Sequence, residues 1–379
     1  MKKKLQFLFC GSYIPPELTK ELEYCSEAGN NLQHNLIKEI AELHKVKILS
    51  YIGYPVTALQ KDILCRKLNE VAIEHVVCRN GIGRILNFFQ YYRGLLCNIK
   101  NADIILLYNY HYLQFFIPVI GRIAGKTTAV IIADYTDELE QKGVLRKLIA
   151  RHTELAYRKF SKAIILSRDF FDRFQGREKL FFPGAVKYDE YCDFIPHPVA
   201  GRNIRVLYSG VFEYVTGVDL LLEAIKKIQI QNVEFIFSGR GALEGAIQEA
   251  AKGDKRIRLE GFLPRDEYYR LLDSADILVN PRNMNFQQNA NNFPSKMLEY
   301  LAAGKCIVST RFAGYRGFGD YRINYVDSDS SSIADGIVDA ICGIDGCQKE
   351  IFMHNHVYAK RFDWHSQALR ILDFLQRKV

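Results

Sequence analysis

"NNFPSKMLEYLAAGKCIVST" (residues 291–310) combines a helix pattern with a strand pattern on either side of one glycine. Apolar and small residues at helical spacing occupy residues 295–303, Gly304 interrupts them, and the run CIVST follows at 306–310. A helix that leads into a short β-branched strand is half of a βαβ unit, from which parallel sheets are built. The stretch therefore predicts an α/β fold.

The same alternation of short apolar runs and helix-like segments continues along the chain. The first half contains LQFLFCG (5–11), DIILLY (103–108) and TAVIIAD (128–134), and the second contains IRVLYSG (204–210) and VEFIFSG (233–239). Short apolar runs bounded by turn residues are typical of buried parallel strands. Their alternation with helices predicts doubly wound, Rossmann-like sheets, which bind ligands at the carboxyl ends of their strands.

A length of 379 residues is too great for one ordinary hydrophobic core. Residues 181–203 contain three prolines and no clear periodicity, which is typical of a linker. We therefore predict two Rossmann-like domains that face each other across a cleft, over residues 1–195 and 196–355. A terminal helix over 356–379 is expected to pack back on the first domain.

The positive charge of the chain is concentrated in its first half. The formal net charge is +8, and residues 1–200 hold 28 Lys and Arg against 21 Asp and Glu. Anionic lipid headgroups are one class of partner for such a surface, and a solvated basic surface is the alternative. No Arg-rich run or nucleic-acid motif occurs, so nucleic acid is not expected as a partner.

The cysteines and the longest apolar run exclude two further classes of protein. The nine cysteines include no CxxC pair, which argues against a zinc site or a disulfide framework and favours a reducing compartment. The apolar run at 104–125 is interrupted by Asn109, His111, Pro118 and Arg122. A membrane-spanning helix needs about 20 mostly apolar residues, so none is predicted.

The quoted stretch also predicts an anion site. Pro294 suits the first position of a helix, and the free amide groups that follow it would bind an anion at the positive end of the helix dipole. Lys296 adds a formal charge, and Glu299, one turn further on, could accept hydrogen bonds from a ribose diol. A plain helix start with a solvated glutamate is the alternative. The amide groups belong to Ser295, Lys296, Met297 and Leu298.

Two glycine-bearing turns follow strand-like runs in the same half of the chain. YSGVFEYVTGVD (208–219) contains Gly210, and SGRGALEG (238–245) contains Gly239. Glycine lets a backbone approach a ligand closely. The second turn reads GxGxxxG and departs from the dinucleotide fingerprint, so a tight strand-to-helix turn is the stronger interpretation there.

Taken in order, four segments of the second half resemble the nucleotide-sugar domain of retaining glycosyltransferases with the GT-B fold, of the family 4 (group 1) type. This resemblance implies transfer of a sugar from a nucleotide-diphosphate sugar to an acceptor hydroxyl, with retention, without a cofactor and without an essential metal. The segments are VLYSGVFEYVTGVDLLLEAI, EFIFSGRG, IRLEGFLPRDEYYRLLDSADILVNPR and NNFPSKMLEYLAAGKCIVST.

The resemblance assigns roles in donor binding to individual residues. Glu299 matches the second glutamate of the E-x7-E region and would bind the donor ribose, while the amides of residues 295–298 would bind the diphosphate. Phe262 and Leu263 match the loop that contacts the base. The candidate donor-binding residues are Gly210, Gly239, Arg240, Phe262, Leu263, Phe293, Pro294, Ser295, Met297, Leu298 and Glu299.

The chain departs from the family pattern at three positions. Asn291 replaces the first glutamate of E-x7-E, and Val211 and Thr216 replace the Arg and Lys that usually balance the diphosphate charge. Lys296, or failing that Arg240, is expected to supply the missing positive charge.

The first half resembles the family's acceptor-binding domain. SEAGNNLQHNLIKEIAEL (26–43) looks like the family's loop and first helix, which would bring Gly29, Asn30 and Asn31 near the acceptor or the donor phosphates. His111 matches a histidine that lies in the cleft of the family. The candidate catalytic residues are His111, Asn291 and Lys296.

From the family and the basic first half, we expect a saccharide or lipid-linked saccharide acceptor in bacterial surface polysaccharide or glycoconjugate assembly. The expected location is cytoplasmic, peripheral on the inner face of the cell membrane. Two other classes stay open. The three departures suit a non-catalytic GT-B partner subunit of another glycosyltransferase, and a nucleotide-sugar epimerase would need carboxylate bases that the sequence does not place.

Overall fold

The computed structural model describes residues 4–16, 27–53, 72–77, 83–133, 143–176, 178–286, 289, 296–311 and 322–377. The chain forms two compact units, which are described separately. The first comprises Met1–Gly184 and Trp364–Val379, and the second comprises Ala185–Asp363. Each unit contains one parallel β-sheet with helices, which confirms the predicted α/β class and the two Rossmann-like sheets.

The first unit is built on a seven-stranded sheet in the order β3-β2-β1-β4-β5-β6-β7. Every neighbouring pair of strands is parallel. All five residues of β4 are buried, because a central parallel strand is covered by helices on both faces. The strands are β1 (Gln6–Gly11), β2 (Lys45–Ile52), β3 (Ala72–Val77), β4 (Ile104–Tyr108), β5 (Thr127–Ile132), β6 (Lys162–Ile165) and β7 (Glu178–Phe181).

Apart from the C-terminal helix, the described helices of the first unit lie between consecutive strands of its sheet. Pro118 occupies the first turn of α3, where a missing N–H is tolerated. Within the described residues the helices are α1 (Glu27–Leu43), α2 (Gly83–Ile99), α3 (Ile117–Ile123), α4 (Val144–Tyr157), α5 (Arg168–Arg173) and the C-terminal α12 (Trp364–Gln376).

The second unit has a six-stranded parallel sheet in the order β10-β9-β8-β11-β12-β13. The central strands are apolar and buried; Leu207, Ile277, Leu278 and Ile307 are fully excluded from solvent. The strands are β8 (Ile204–Val211), β9 (Val233–Arg240), β10 (Ile257–Gly261), β11 (Ile277–Asn280), β12 (Cys306–Thr310) and β13 (Ile323–Val326).

Helices of the second unit cover both faces of this sheet, with one apolar cluster on each side. Helix α6 follows the pattern expected of an amphipathic helix, since Val218, Leu221, Leu222 and Ile225 are all buried. Within the described residues the helices are α6 (Val218–Lys227), α7 (Glu244–Gly253), α8 (Arg265–Ser274), α9 (Lys296–Ala302), α10 (Ser330–Gly343) and α11 (Gln348–Ala359).

The strand order places a ligand-binding position in each sheet. In the second sheet, the direction in which the chain adds strands reverses between the neighbours β8 and β11, and in the first it reverses between β1 and β4. Ligands of open α/β sheets bind at such switch points, outside the carboxyl ends of the strands. The ends of β8 and β1 are therefore where the candidate sites are expected.

The boundary between the units lies after Gly184, whereas the sequence predicted it after residue 195. The intervening residues belong to the second unit because their aromatic side chains pack into its core. Val186, Tyr188, Tyr191 and Phe194 are all buried in the cluster that also contains Leu272. Proline content alone marks the segment without showing which core it joins.

The terminal helix is shorter than the predicted 356–379. Helix α11 ends at Ala359, a 3-10 turn follows at Lys360–Phe362, and α12 begins at Trp364. Helix α12 belongs to the first unit, where the buried ammonium of Lys162 donates hydrogen bonds to the carbonyl oxygens of Phe374 (2.7 Å) and Arg377 (2.8 Å). A lysine at the last carbonyls satisfies them and offsets the helix dipole.

Candidate functional site

The ends of β8 and β9 are held against each other by glycine. Gly239 has a positive φ of 144°, and a Cβ built on it would lie 1.8 Å from the carbonyl oxygen of Gly210. A side chain cannot occupy that space, so backbone packing explains Gly239, and Gly210 has a positive φ of 155° that favours glycine. The predicted tight turn in SGRGALEG is therefore enough to explain why residue 239 is a glycine. A further role of Gly210 and Gly239 in binding a donor stays a prediction.

Lys296, the first residue of α9, directs its ammonium group back to the end of β8. Its Nζ donates a hydrogen bond of 3.2 Å to Ser209 Oγ and lies 5.1 Å from the centre of the Tyr268 ring. Burial lowers the pKa of Lys296 from its ordinary value of 10.5, and the carboxylate of Glu299 opposes this shift. A desolvated ammonium group at a strand end is suited to holding an anion in a ligand.

Glu299 lies one turn after Lys296 and is connected to the same strand end through Tyr268. The phenol of Tyr268 donates a hydrogen bond of 3.1 Å to Glu299 Oε2. The phenol oxygen is also 3.2 Å from Ser209 Oγ. Because a phenol has one proton, the Tyr268 oxygen accepts the proton of Ser209 while it donates to Glu299.

Tyr300 completes this network from the buried side of α9. Its phenol oxygen lies 3.1 Å from Ser209 Oγ. Burial raises the pKa of Tyr300 and that of Tyr268 well above their ordinary value of 10.0, and the nearby Glu299 carboxylate raises both further. Both phenols therefore stay protonated and act as hydrogen-bond donors at neutral pH.

Sequence reasoning predicted Lys296 and Glu299 as site residues and did not name Ser209, Tyr268 and Tyr300, which share this hydrogen-bond network. The position of Ser209 directly before Gly210, at the end of a strand, is a signal that could have revealed it. Tyr268 lies 31 residues before Glu299, in a different helix, and no local pattern links the two.

The two residues predicted to contact the nucleotide base, Phe262 and Leu263, differ in their exposure to solvent. Phe262 is exposed, and the guanidinium of Arg240 lies 4.7 Å from the centre of its ring. Leu263 packs against the apolar cluster of the second unit instead. Phe262 and Arg240 thus form a flat cationic and aromatic surface at the ends of β9 and β10, on which a planar base could stack.

Met297 and Leu298 contribute no side chain to the site. Both side chains are buried in the core of the second unit, so only their backbone amides could contact a ligand. Asn291, Phe293, Pro294 and Ser295 lie outside the described residues.

The turn after β8 is closed by polar groups of the chain itself. The single proton of the Thr216 hydroxyl is shared between the carbonyl oxygens of Val211 (2.8 Å) and Glu213 (2.7 Å). The phenol of Tyr208 donates to the carbonyl oxygen of Val211 as well, at 2.7 Å. Val211, through its carbonyl oxygen, and Thr216, through its hydroxyl, therefore stabilise this turn at the two positions where the family has cations. Positive charge in this region comes from residues that include Lys296 and Arg240.

In the first unit, Asn30 is used by the chain itself. Its amide oxygen accepts a hydrogen bond from the Ile14 N–H (2.9 Å), and its amide nitrogen donates to the Ile14 carbonyl (2.7 Å). The side chain thereby fixes the segment after β1. The carbonyl of its neighbour Gly29 accepts from Gln33 Nε2 at 3.3 Å, and Asn31 is exposed. A contact of these three residues with a ligand stays a prediction.

His111 follows β4, beside the switch point of the first sheet. Its Nδ1 accepts a hydrogen bond of 3.4 Å from the Leu113 N–H, so the neutral ring carries its proton on Nε2. Burial lowers the pKa of His111 to about 4. The ring also packs against Tyr51, with 4.7 Å between ring centres. His111 is therefore a neutral hydrogen-bond donor at pH 7, and its role toward a sugar stays a prediction.

The described residues bear on two questions, membrane spanning and metal binding. None of the helices there is both long and apolar enough to span a bilayer. Glu39, Glu42 and His365 of the first unit form a group that could hold a metal ion. Since Nδ1 of His365 already forms a hydrogen bond of 3.1 Å with Oε2 of Glu39, that contact accounts for the arrangement.

Comparison with known proteins confirms the resemblance in the second half of the chain. Residues 203–342 match the family described as "Glycosyl transferases group 1". The "Amylovoran biosynthesis glycosyltransferase AmsK" of Erwinia amylovora is 29% identical over 118 residues. That match covers 30% of this chain and 29% of AmsK, so it spans less than a third of the relative's length.

Solved structures confirm the GT-B fold. A glycosyltransferase from Rickettsia africae aligns with a TM-score of 0.72 at 13% identity, over 99% of this chain and 98% of that one. HepE of Anabaena, solved in complex with UDP and glucose, aligns with a TM-score of 0.68 at 15% identity, over 98% and 99% of the two chains. At such low identity the similarity is one of fold.

Proposed function

We propose that the chain, whose residues 203–342 match the group 1 glycosyltransferases, moves a sugar from a nucleotide-diphosphate sugar to an acceptor hydroxyl. The observation that supports this most directly is the pairing of Lys296 and Glu299 on one turn of α9, at the switch point of the second sheet. One residue supplies a partly desolvated cation and the other a carboxylate held by Tyr268. A nucleoside diphosphate offers the matching groups, an anionic diphosphate and a ribose diol.

In this proposal each group of the site takes one part of the donor. Glu299 accepts hydrogen bonds from the ribose hydroxyls, and Lys296 holds the diphosphate together with the backbone amides of residues 295–298. The base stacks on Phe262 beside Arg240. This assignment of ribose and diphosphate is supported by the position of both side chains on one turn of α9. Glu299 is bound there by Tyr268, and Lys296 by Ser209.

The proposed reaction breaks the bond between the sugar C1 and the diphosphate oxygen and forms a bond from C1 to the acceptor oxygen, with retention. The acceptor hydroxyl gives its proton to the diphosphate oxygen that leaves C1, and the nucleoside diphosphate departs with it. Lys296 stabilises the negative charge that develops on the leaving group. Asn291 contacts the transferred sugar, as the resemblance implies. No cofactor and no essential metal take part.

We further propose a saccharide or lipid-linked saccharide as the acceptor, in assembly of a bacterial surface polysaccharide or glycoconjugate. The name of AmsK, a glycosyltransferase of amylovoran biosynthesis, supports the process. The basic first half supports a cytoplasmic protein that binds the anionic inner face of the cell membrane.

Thermal unfolding with a panel of nucleoside diphosphates and nucleotide sugars tests donor binding. A ligand at about 100 times its Kd should stabilise the protein by about 2.7 kcal/mol. Glu299→Ala should abolish that shift, whereas Glu267→Ala, which changes an exposed glutamate of α8, should keep it. An unchanged shift in Glu299→Ala would refute the ribose assignment.

Product release separates an enzyme from a partner subunit. The purified protein should release a nucleoside diphosphate when it is given its donor and an extract of native acceptors. Asn291→Ala should keep the thermal shift but lose most of this release. A protein that binds the nucleotide, turns over no donor and co-purifies with a second glycosyltransferase would be the non-catalytic subunit.

A further inference from the structure

Helix α4 of the first unit leaves large apolar side chains in contact with solvent. Only Ala150, Ala156 and Tyr157 of this helix are buried. In its first half, Val144, Leu145, Leu148 and Ile149 are 76, 72, 58 and 57% exposed. Monomeric soluble proteins rarely expose apolar side chains in such groups, and an exposed group of this kind marks an interaction surface.

Helix α2 carries a second exposed apolar stripe. Ile85, Phe89 and Leu96 are 59, 64 and 53% exposed. Their spacing of four and seven residues places them on one side of the helix, together with the exposed Arg93. The opposite side, with Tyr91 and Leu95, packs into the core.

Helices α2, α3 and α4 lie on the same face of the first sheet. They connect β3 to β4, β4 to β5 and β5 to β6, and all three connections run in the same direction along the strand order. Right-handed crossovers that run in one direction place their helices on one face. Ring contacts join the helices: Phe88 to Phe116 at 6.4 Å, Phe116 to Phe115 at 5.0 Å and Phe115 to His152 at 5.2 Å.

The charges on these helices are almost all positive. Glu154 is their single acidic residue, and it already pairs with Arg158. Apolar and basic side chains on adjacent positions are the composition of helices that lie in the interface of an anionic bilayer. The basic residues are Arg84, Arg93, Arg122, Arg146, Lys147 and Arg151.

The positive charge distinguishes between two possible partners of this surface, a second copy of the chain and a lipid bilayer. A second copy of the chain would bring these like charges together, and like charges opposed across an interface cost free energy. A bilayer that contains anionic lipids accepts both the apolar side chains and the cations between them. The surface is therefore complementary to lipid.

We infer that the outer sides of α2, α3 and α4, here called the apolar-basic face, dock the first unit on the surface of an anionic lipid bilayer. This face is the surface for the membrane binding that the proposed function includes. Binding of the bilayer here does not require the protein to bind a nucleotide sugar. Each of the three helices begins after the carboxyl end of a strand, so Phe89 and Leu145 lie toward the edge of the sheet where an acceptor would bind. A lipid-linked acceptor would then reach this edge from the headgroup region.

Flotation with lipid vesicles tests the inference. The wild-type protein should float with vesicles of phosphatidylglycerol and phosphatidylcholine, much less with phosphatidylcholine alone, and less again at high salt. Leu145→Ser with Leu148→Ser, and separately Arg146→Glu with Lys147→Glu, should each lower the affinity for the anionic vesicles at least about tenfold.

Matched variants in the second unit serve as controls. Met353→Ser with Val357→Ser removes two apolar side chains of α11 that are each 55% exposed, and Lys252→Glu with Lys255→Glu makes the same charge change on exposed residues. Both should float like the wild type. Since the α4 substitutions touch exposed positions, circular dichroism should show an unchanged unfolding midpoint.

Three outcomes would overturn the inference. The wild type could stay unbound with both kinds of vesicle, or the α4 variants could float as well as the wild type. Alternatively, the wild type could be an oligomer, and Leu145→Ser with Leu148→Ser could dissociate it without changing vesicle binding. The face would then be an interface between copies of the chain. The nucleotide thermal shift of the same variants reports separately on the donor site, so failure of one proposal is distinguishable from failure of the other.

Discussion

The phenol of Tyr268 donates a hydrogen bond of 3.1 Å to Oε2 of Glu299. The two residues come from different helices, α8 and α9, and meet beside the end of β8. Because the phenol oxygen also lies 3.2 Å from Ser209 Oγ, the carboxylate is linked to the strand through two side chains. Such support from neighbouring side chains fixes the geometry of a binding group before a ligand arrives.

Tyr268→Phe should therefore weaken nucleotide binding while preserving the fold. The change removes one hydrogen bond to a charged group, with a net value of about 1.5 kcal/mol, and leaves the ring that faces Lys296. We expect about a tenfold loss of affinity for the nucleoside diphosphate in calorimetric titration.

Tyr269→Phe is the matched control for this change. The Tyr269 phenol donates to Glu190 and not to Glu299, so its removal should leave the affinity unchanged. Equal losses of affinity in both variants would mean that the effect is a general loosening of α8.

Lys296→Met should discriminate between nucleoside diphosphates and nucleoside monophosphates. Loss of the ammonium group should lower the affinity for a diphosphate by about 10- to 100-fold, equivalent to about 1.4–2.8 kcal/mol, and that for a monophosphate less. Lys226→Gln, which changes an exposed lysine of α6, is the control. A uniform loss for both ligands would contradict a diphosphate contact.

The same lysine predicts how binding depends on pH. Because burial lowers the pKa of Lys296, its positive charge is lost at a lower pH than that of an ordinary lysine with a pKa of 10.5. Affinity for the diphosphate should fall as the pH rises through this lowered pKa, and the fall should be absent in Lys296→Met. Titrations over the alkaline range measure both curves.

Gly239→Ala should destabilise the second unit and Gly245→Ala should not. The new Cβ at position 239 would lie 1.8 Å from the carbonyl oxygen of Gly210, at a φ that side chains avoid, with a cost of at least about 2 kcal/mol. At position 245 a Cβ meets nothing within 4 Å, and alanine in a helix is favoured over glycine by up to about 1 kcal/mol. Urea unfolding of both variants checks the contrast, and equal stabilities would contradict the packing described at the strand ends.

His111 should make the first unit less stable in acid. Its pKa of about 4 in the folded protein lies below the ordinary value of 6.5, so the unfolded chain binds more protons between these two values. The free energy of unfolding should therefore decrease as the pH falls from 6.5 to about 4, by at most about 3 kcal/mol.

The comparison of wild type with His111→Gln isolates this effect. The variant should lack that part of the pH dependence, while above about pH 7 the two proteins should differ only by the lost packing of the ring. Thermal unfolding between pH 4 and 7 measures the difference. Parallel curves over this range would show that the ring is not desolvated.

Buried apolar strands and the Lys296–Glu299 turn could be predicted from sequence because each depends on local pattern. Strands β7 and β13 were missed, since their residues are mostly half-exposed and mix charged or polar with apolar side chains. Asn30 was predicted near a ligand, and the structure uses it to hold Ile14, sixteen residues away. Tyr268 and Lys162 form hydrogen bonds with residues far away in the sequence. Such pairs depend on how the elements pack, so no periodic pattern in the sequence predicts them.

The membership of α12 in the first unit has a consequence for synthesis of the chain. The ribosome makes the strands of the first unit, then the entire second unit, and only afterwards Trp364–Gln376. Until that helix emerges, Lys162 lacks the carbonyl oxygens that it binds in the finished protein. The second unit is thus inserted within the first and can fold as soon as it is made, while the first unit must wait for Trp364–Gln376, which exposes its core for longer.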